Sequence, residues 1–195
     1  MPVVMETPIA FDAPPHKLWT REECAVLESA GVVDLERYEL IEGELLLKMG
    51  KKNPHMRAVW LLVHWLARTF GETFVVQEPS ISVHPEDSPT SEPEPDAIVL
   101  NRSFLGIQGL AGPADLLLVA EVSGATLSLD LKVKARLYAR AGIAEYWVVD
   151  LNGRRVIIHR RPEGGRYLDV VGYSEDEMVA TLGAPEVSIR VGDLF

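Results

Sequence analysis

Three residues on consecutive elements carry the most pointed chemistry in this chain: Asp96 in PEPDAIVL, Glu121 in DLLLVAEVS and Lys134 in DLKVKARLYARAG. Asp96 opens one apolar strand and Glu121 closes another. A carboxylate seldom enters an apolar run unless it is paired. Two hard oxygen ligands at strand ends suit Mg²⁺ or Mn²⁺ rather than Zn²⁺. An ion held there would polarise a phosphoryl oxygen and acidify its bound water. A lysine beside it could orient or deprotonate that water, or stabilise charge developing on the phosphate. Plainer roles stand beside these. Asp after Pro95 is a common turn residue, and Lys134 could snorkel to the helix edge or pair with a structural acid.

The spacing around Lys134 sharpens the choice. On a helix from Asp130, residues Leu131, Lys134, Ala135, Tyr138 and Ala141 share one face. Lys134 is the one charge in that stripe, and burying an ammonium without a partner is costly. Glu121 lies one short loop upstream. The row Lys132, Arg136 and Arg140 falls on the opposite face, where it is solvated or touches phosphates. Among weaker candidates, Glu78 in VVQEPS could be a further ligand or plain surface, and Glu44 follows a turn from which it could reach the site. His55 sits at the amino end of an apolar helical face, as a semi-buried histidine or a ligand. Cys24 has no histidine near it in sequence, so a thiol nucleophile is unsupported.

The elements that would position these residues follow from periodicity and punctuation. Thr20–Glu23 is a capping-box pattern that starts a helix over 20–30. YELIEGELLLKM reads as a hairpin, with strands near 38–41 and 44–49 turned at Glu42-Gly43. Asn53-Pro54 reads as an N-cap and first helical residue, opening a helix that runs to Gly71 with Val59, Leu62, Val63, Leu66 and Phe70 on its apolar face. Strands are predicted at 74–77, 81–83, 97–100 and 116–122, the last buried on both faces. A helix over 129–141 precedes EYWVVD and RVIIHRR, joined through Leu151-Asn152-Gly153. RYLDVVGY and EVSIRV read as further strands. The expected class is mixed α/β around one sheet, as a single domain over 18–195 preceded by an extended Pro-rich arm at 1–17.

Composition narrows the setting. The chain has 195 residues and one cysteine, which suits a reducing compartment. No secretory signal is visible, and the longest apolar runs fall far short of the roughly 20 residues that span a bilayer. A cytoplasmic protein without a membrane role is expected. The net charge of −10 argues against a general nucleic-acid coat protein. The charge is uneven, however: residues 130–166 hold nine Lys/Arg against four Asp/Glu, so a basic patch on an acidic body is one reading and a solvated charged face the other.

The strings RYELIEGELL, PEPDAIVL, LLLVAEVS and DLKVKARLYARAGIAEYWVVD resemble the Uma-type restriction endonuclease family. The resemblance runs from about residue 18 to about 160 and is strongest over 118–150. It implies the PD-(D/E)XK nuclease fold, a restriction-endonuclease-like central mixed sheet flanked by helices, with a divalent metal at splayed strands. It places the first acid at Asp96 and the second at Glu121. The lysine of that signature would stand two residues further on, where this chain has Ser123. In the resembled family the lysine comes from the following helix, at the position of Lys134, the residue reached above from helical spacing. The expected function is hydrolysis of DNA phosphodiester bonds with Mg²⁺ or Mn²⁺ on Asp96 and Glu121, assisted by Lys134, in an enzyme able to work as a homodimer. The alternatives are a nuclease-fold module that binds nucleic acid or protein with little or no cleavage, and hydrolysis of another phosphoester.

Overall fold

The computed structural model describes residues 16–48, 50 and 52–195. Nearly all of the expected N-terminal arm lies outside them. Helix α1 (Arg21–Ser29) starts as its sequence dictates. The Thr20 hydroxyl accepts the Glu23 N–H at 3.2 Å, and the Glu23 carboxylate accepts the Thr20 N–H at 3.0 Å. Strands β1 (Tyr38–Ile41) and β2 (Glu44–Leu47) then pair antiparallel. Their turn places Glu42 at φ 50° and Gly43 at φ 85°, the left-handed pair that a tight hairpin demands. Gly43 is held at both ends: its N–H donates to the Thr90 carbonyl at 2.7 Å and its carbonyl accepts the Trp19 N–H at 2.7 Å. A β-carbon there would also sit 2.7 Å from that of Leu18. Gly43→Ala is therefore expected to cost about 1–2 kcal/mol, read as a lower urea midpoint. An unchanged midpoint would mean that the turn relaxes without strain.

Helix α2 (Asn53–Phe70) ends at Gly71 as expected, but its cap is Lys52 rather than Asn53. Asn53 is the first helical residue and Pro54 the next, a position where the missing N–H costs nothing. Strands β3 (Val75–Gln77), β4 (Ala97–Leu100), β5 (Leu116–Ser123), β6 (Glu145–Asp150), β7 (Arg155–Glu163) and β8 (Arg166–Ser174) form one six-stranded sheet in that order. All neighbours are antiparallel except β5 and β6. That parallel pair needs a crossover, which the helix after β5 supplies. The predicted strand at 81–83 is absent. Ile81 makes only an isolated bridge to Ala111, and Ile81 and Val83 instead plug the core from a loop too rich in proline to sustain a ladder. Two short strands, β9 (Met178–Ala180) and β10 (Ser188–Arg190), form a separate pair, of which only β10 was expected.

Strands β4, β5 and β6 are buried on both faces, whereas the edge strand β8 is largely exposed. Ala58, Val59, Leu62 and Leu66 of α2 pack with Val99, Leu118, Ala120 and Trp147 on one side. Leu137, Tyr138 and Ala139 of the crossover helix pack with Ile98, Val119, Tyr146 and Val148 on the other, where Ile41 of the β1–β2 hairpin joins them. Alternation along β5 consequently sends Glu121 to the crossover-helix side with Val119. The architecture is the expected mixed α/β sheet flanked by helices. No helix among the described residues is long and apolar enough to cross a membrane.

Candidate metal centre

The site gathers where β4 begins and β5 ends. Ala97 is paired with Ala120, so one residue further Asp96 stands level with Glu121. Directly opposed antiparallel residues point to the same face. The strands part at this point, and Asp96 bridges the gap: its Oδ2 accepts the Val122 backbone N–H at 2.7 Å. Its Oδ1 lies 3.4 Å from Nε2 of His55, in the first turn of α2. Asp96 thus takes up a ladder donor that would otherwise be orphaned, and it holds one oxygen toward the histidine.

The crossover helix delivers the lysine. Leu127–Leu129, a π-helical turn at Asp130–Lys134 and Ala135–Arg140 follow without interruption. The Ala135 N–H reaches the Asp130 carbonyl, five residues back. A π turn inserts one extra residue into the helical phase, and such turns concentrate at functional sites. Here Asp130 and Lys134 are both turned into the protein, at 2% and 4% exposure. Asp130 accepts hydrogen bonds from the hydroxyls of Ser123 and Thr126. Ser123 is therefore occupied in tying strand to helix.

Lys134 Nζ lies 2.8 Å from Oε1 of Glu121 and 2.8 Å from Oε1 of Glu39. The Tyr138 hydroxyl donates to the same Glu121 oxygen at 3.0 Å. Glu39 comes from β1 and also accepts the Glu94 N–H at 2.7 Å. One ammonium thus faces two carboxylates, with Asp96 and Asp130 close enough to add their fields. Burial pulls the Lys134 ammonium toward losing its proton, but Glu121 and Glu39 outweigh it and hold its pKa above the ordinary value. For Glu121, burial raises the pKa most. Lys134 opposes that rise, while Asp130, Asp96 and Glu39 add to it, and the result is well above 4.5. The neighbouring carboxylates act in the same direction on both groups, raising each, whereas burial raises Glu121 and lowers Lys134. Burial, with the Glu121 and Glu39 charges, likewise keeps Tyr138 a phenol.

Burial alone does not single out a functional acid here. Glu145 is fully buried, yet both its oxygens are used, by Arg160, the Trp147 indole and the Leu182 N–H. Asp150 accepts two turn N–H groups and Arg155. Glu121 differs: both its partners sit on Oε1, and no bond to Oε2 is made among the described residues. The donor set left for a cation is this oxygen with the Asp96 carboxylate. No group of three or more His, Cys, Asp or Glu among the described residues could hold a metal ion by itself. Mg²⁺ keeps several waters and needs only one or two carboxylates, so Asp96 and Glu121, in a cluster with excess negative charge, fit such an ion.

The other sequence candidates separate. His55 joins the site through Asp96. Glu78 follows the last residue of β3, and its N–H donates to the Asp96 carbonyl at 3.1 Å, while its exposed side chain accepts from Gln77 at 2.9 Å. Glu44 pairs with His16 at 2.9 Å and touches neither Asp96, Glu121 nor Lys134. The row of three helical cations breaks up: Lys132 and Arg136 are exposed, but Arg140 is drawn into ion pairs with Asp87 at 2.9 Å and Glu42 at 2.7 Å. Its planar fork meets a carboxylate from the 84–95 loop and another from the hairpin turn. Glu39 is the site residue that sequence reading overlooked. Its one signal was an acid flanked by apolar residues in YELI, on a strand too short for alternation to be telling.

The architecture has a solved counterpart. A crystal structure of a putative nuclease from Anabaena variabilis superposes with a TM-score of 0.65 over 86% of this chain and 95% of that one, at 17% identity. That likeness concerns the fold. No curated protein matches the chain. Residues 24–192 match the family described as Uma2, putative restriction endonuclease, and with the match covering nearly the whole chain, the protein belongs to that family.

Proposed function

We propose that this protein is a divalent-metal-dependent endonuclease that hydrolyses DNA phosphodiester bonds at the Asp96–Glu121–Lys134 cluster. The observation that carries the reading is Oε2 of buried Glu121, which makes no bond among the described residues and stands level with Asp96 in a cluster short of positive charge. Asp96 and Glu121 would hold Mg²⁺ or Mn²⁺. Such an ion supplies Lewis acidity toward the phosphoryl oxygen and a water of lowered pKa.

The chain's own residues set the rest. Lys134 stays protonated between Glu39 and Glu121, so it serves as a donor that orients the attacking water or stabilises charge on the phosphate, rather than as the resting base. Glu39 and Tyr138 fix the lysine and Oε1 of Glu121 from opposite elements. The Val122 N–H and His55 hold the Asp96 carboxylate. Buried, multiply bonded side chains of this kind are preorganised, which is what electrostatic catalysis requires. A duplex cut on both strands would call for two copies, and a homodimer is part of the proposal.

A second reading, a nuclease-fold binding module, is favoured by the saturation of Lys134 by two carboxylates and by the net charge of −10. Calorimetric titration of Mn²⁺ into wild type and Asp96→Ala, with plasmid nicking in parallel, separates the two. Metal binding and nicking in the wild type, both lost in Asp96→Ala, are expected. Nicking that survives in Asp96→Ala would sink the endonuclease assignment. Metal binding without nicking would favour the binding module, and turnover of a simple phosphodiester but not DNA would point to another phosphoester.

A further inference from the structure

Most of the nine cations between residues 130 and 166 are consumed internally. Lys134 goes to Glu39 and Glu121, Arg140 to Glu42 and Asp87, Arg154 to Glu175, Arg155 to Asp150, Arg160 to Glu145 and Arg161 to Asp169. Lys132, Arg136 and Arg166 make no ion pair among the described residues. Two of these three, Arg136 and Arg166, line one groove of about 500 Å³ between the crossover helix and the β7–β8 hairpin. Arg155 lines it as well, and it meets Asp150 through Nε and one carboxylate oxygen. No acid lines the groove, although the chain carries 29 acids against 19 Lys and Arg. Guanidinium groups that share a cleft repel one another unless an anion separates them.

The groove wall also contains a histidine. His159 on β7 is 3% exposed, lines the same groove, and its buried Nδ1 makes no hydrogen bond among the described residues. Its ring is packed between those of Tyr146 and Tyr167, at 5.1 and 5.6 Å between centroids.

We propose that this groove is a phosphate-binding site, with Arg136 and Arg166 gripping the phosphoryl oxygens and Arg155 and His159 completing its wall. The planar fork of arginine matches phosphate with paired, charge-assisted bonds. The site is distinct from the carboxylate cluster: Lys134 and Tyr138 of the crossover helix face Glu121, whereas Leu131, Ala135 and Arg136 line the groove. The phosphate could belong to a nucleic-acid backbone or to a free nucleotide.

Binding measured in EDTA keeps this site apart from any metal chemistry. A fluorescent short oligonucleotide is titrated by anisotropy, and adenosine monophosphate by calorimetry, with wild type, Arg136→Ala, Arg166→Ala and Lys132→Ala. Each arginine variant is expected to weaken binding about tenfold and to lower the salt slope by about one, while Lys132→Ala, outside the groove, leaves it unchanged. Oligonucleotide binding alone would identify a backbone phosphate, and binding of both probes a free phosphate. No binding of either probe, binding indifferent to the arginines, or an equal loss in Lys132→Ala would overturn the proposal. A nuclease-dead Asp96→Ala protein should still bind, so failure here and failure of the endonuclease reading are separately visible.

Discussion

Replacing Lys134 by Met is expected to destabilise the protein by about 3–5 kcal/mol at neutral pH, a fall in Tm on the order of 10 °C for a chain of this size. The methionine fills much of the same space, so the loss is electrostatic rather than steric. It leaves Glu39 and Glu121 buried against each other without the ammonium now 2.8 Å from both. The pH dependence tests the cause. Without Lys134, which opposes the rise, Glu121 holds its proton still more tightly in the folded state than in the unfolded one. Stability then falls as pH rises above the ordinary carboxylate value and recovers as pH drops back toward it. Lys134→Met should accordingly lose most relative to wild type at pH 7–8 and least near pH 4–5. Adding Glu121→Gln to Lys134→Met should restore a large part of the deficit, because the two sites share one interaction. A deficit independent of pH, or additive in the double variant, would mean that packing rather than charge dominates.

Glu121→Gln alone should separate stability from chemistry. Burial and three neighbouring carboxylates raise the Glu121 pKa well above 4.5, so the folded state binds its proton more tightly than the unfolded chain does. Its contribution to stability is therefore present at low pH and is lost as pH rises through the folded value. Glutamine removes that dependence while Lys134 keeps Glu39. The variant should match or exceed the wild type in thermal stability, with the difference growing toward alkaline pH. Metal-dependent nicking, by contrast, should fall by about a thousandfold, the scale of losing one preorganised electrostatic partner. Stability gained at the expense of activity is what functional carboxylates usually show. If Glu121→Gln nicks DNA as well as wild type, Glu121 is a structural acid and the centre lies elsewhere.

Legibility in the sequence followed the range of the forces involved. The capping box at Thr20, the turn at Glu42-Gly43, the stop at Gly71 and the apolar stripes of α2 and β5 were all readable, because each depends on residues a few positions apart. Where a segment's fate depended on distant partners, reading failed. ISV at 81–83 has strand composition, but a ladder also needs a partner strand, and Ile81 meets only Ala111 of another loop in an isolated bridge. The β9 strand exists because Ser188–Arg190 happens to lie beside it.

The candidate site divides the same way. Sequence alone put Asp96 at the start of one strand, Glu121 at the end of the next and Lys134 on the apolar face of the following helix, since strand and helix periods orient side chains locally, and its motifs carried the resemblance to a nuclease family. Only the tertiary structure decided what those groups meet. It brought Glu39 from the hairpin onto Lys134, set Tyr138 on Glu121, and placed His55 against Asp96. It also removed Arg140 from the basic row by pairing it with Asp87 and Glu42, while leaving Arg136 and Arg166 around one groove. The physical reason is that a charge in a folded protein is governed by desolvation and by partners within a few ångströms, and those partners come from segments whose approach no local pattern records.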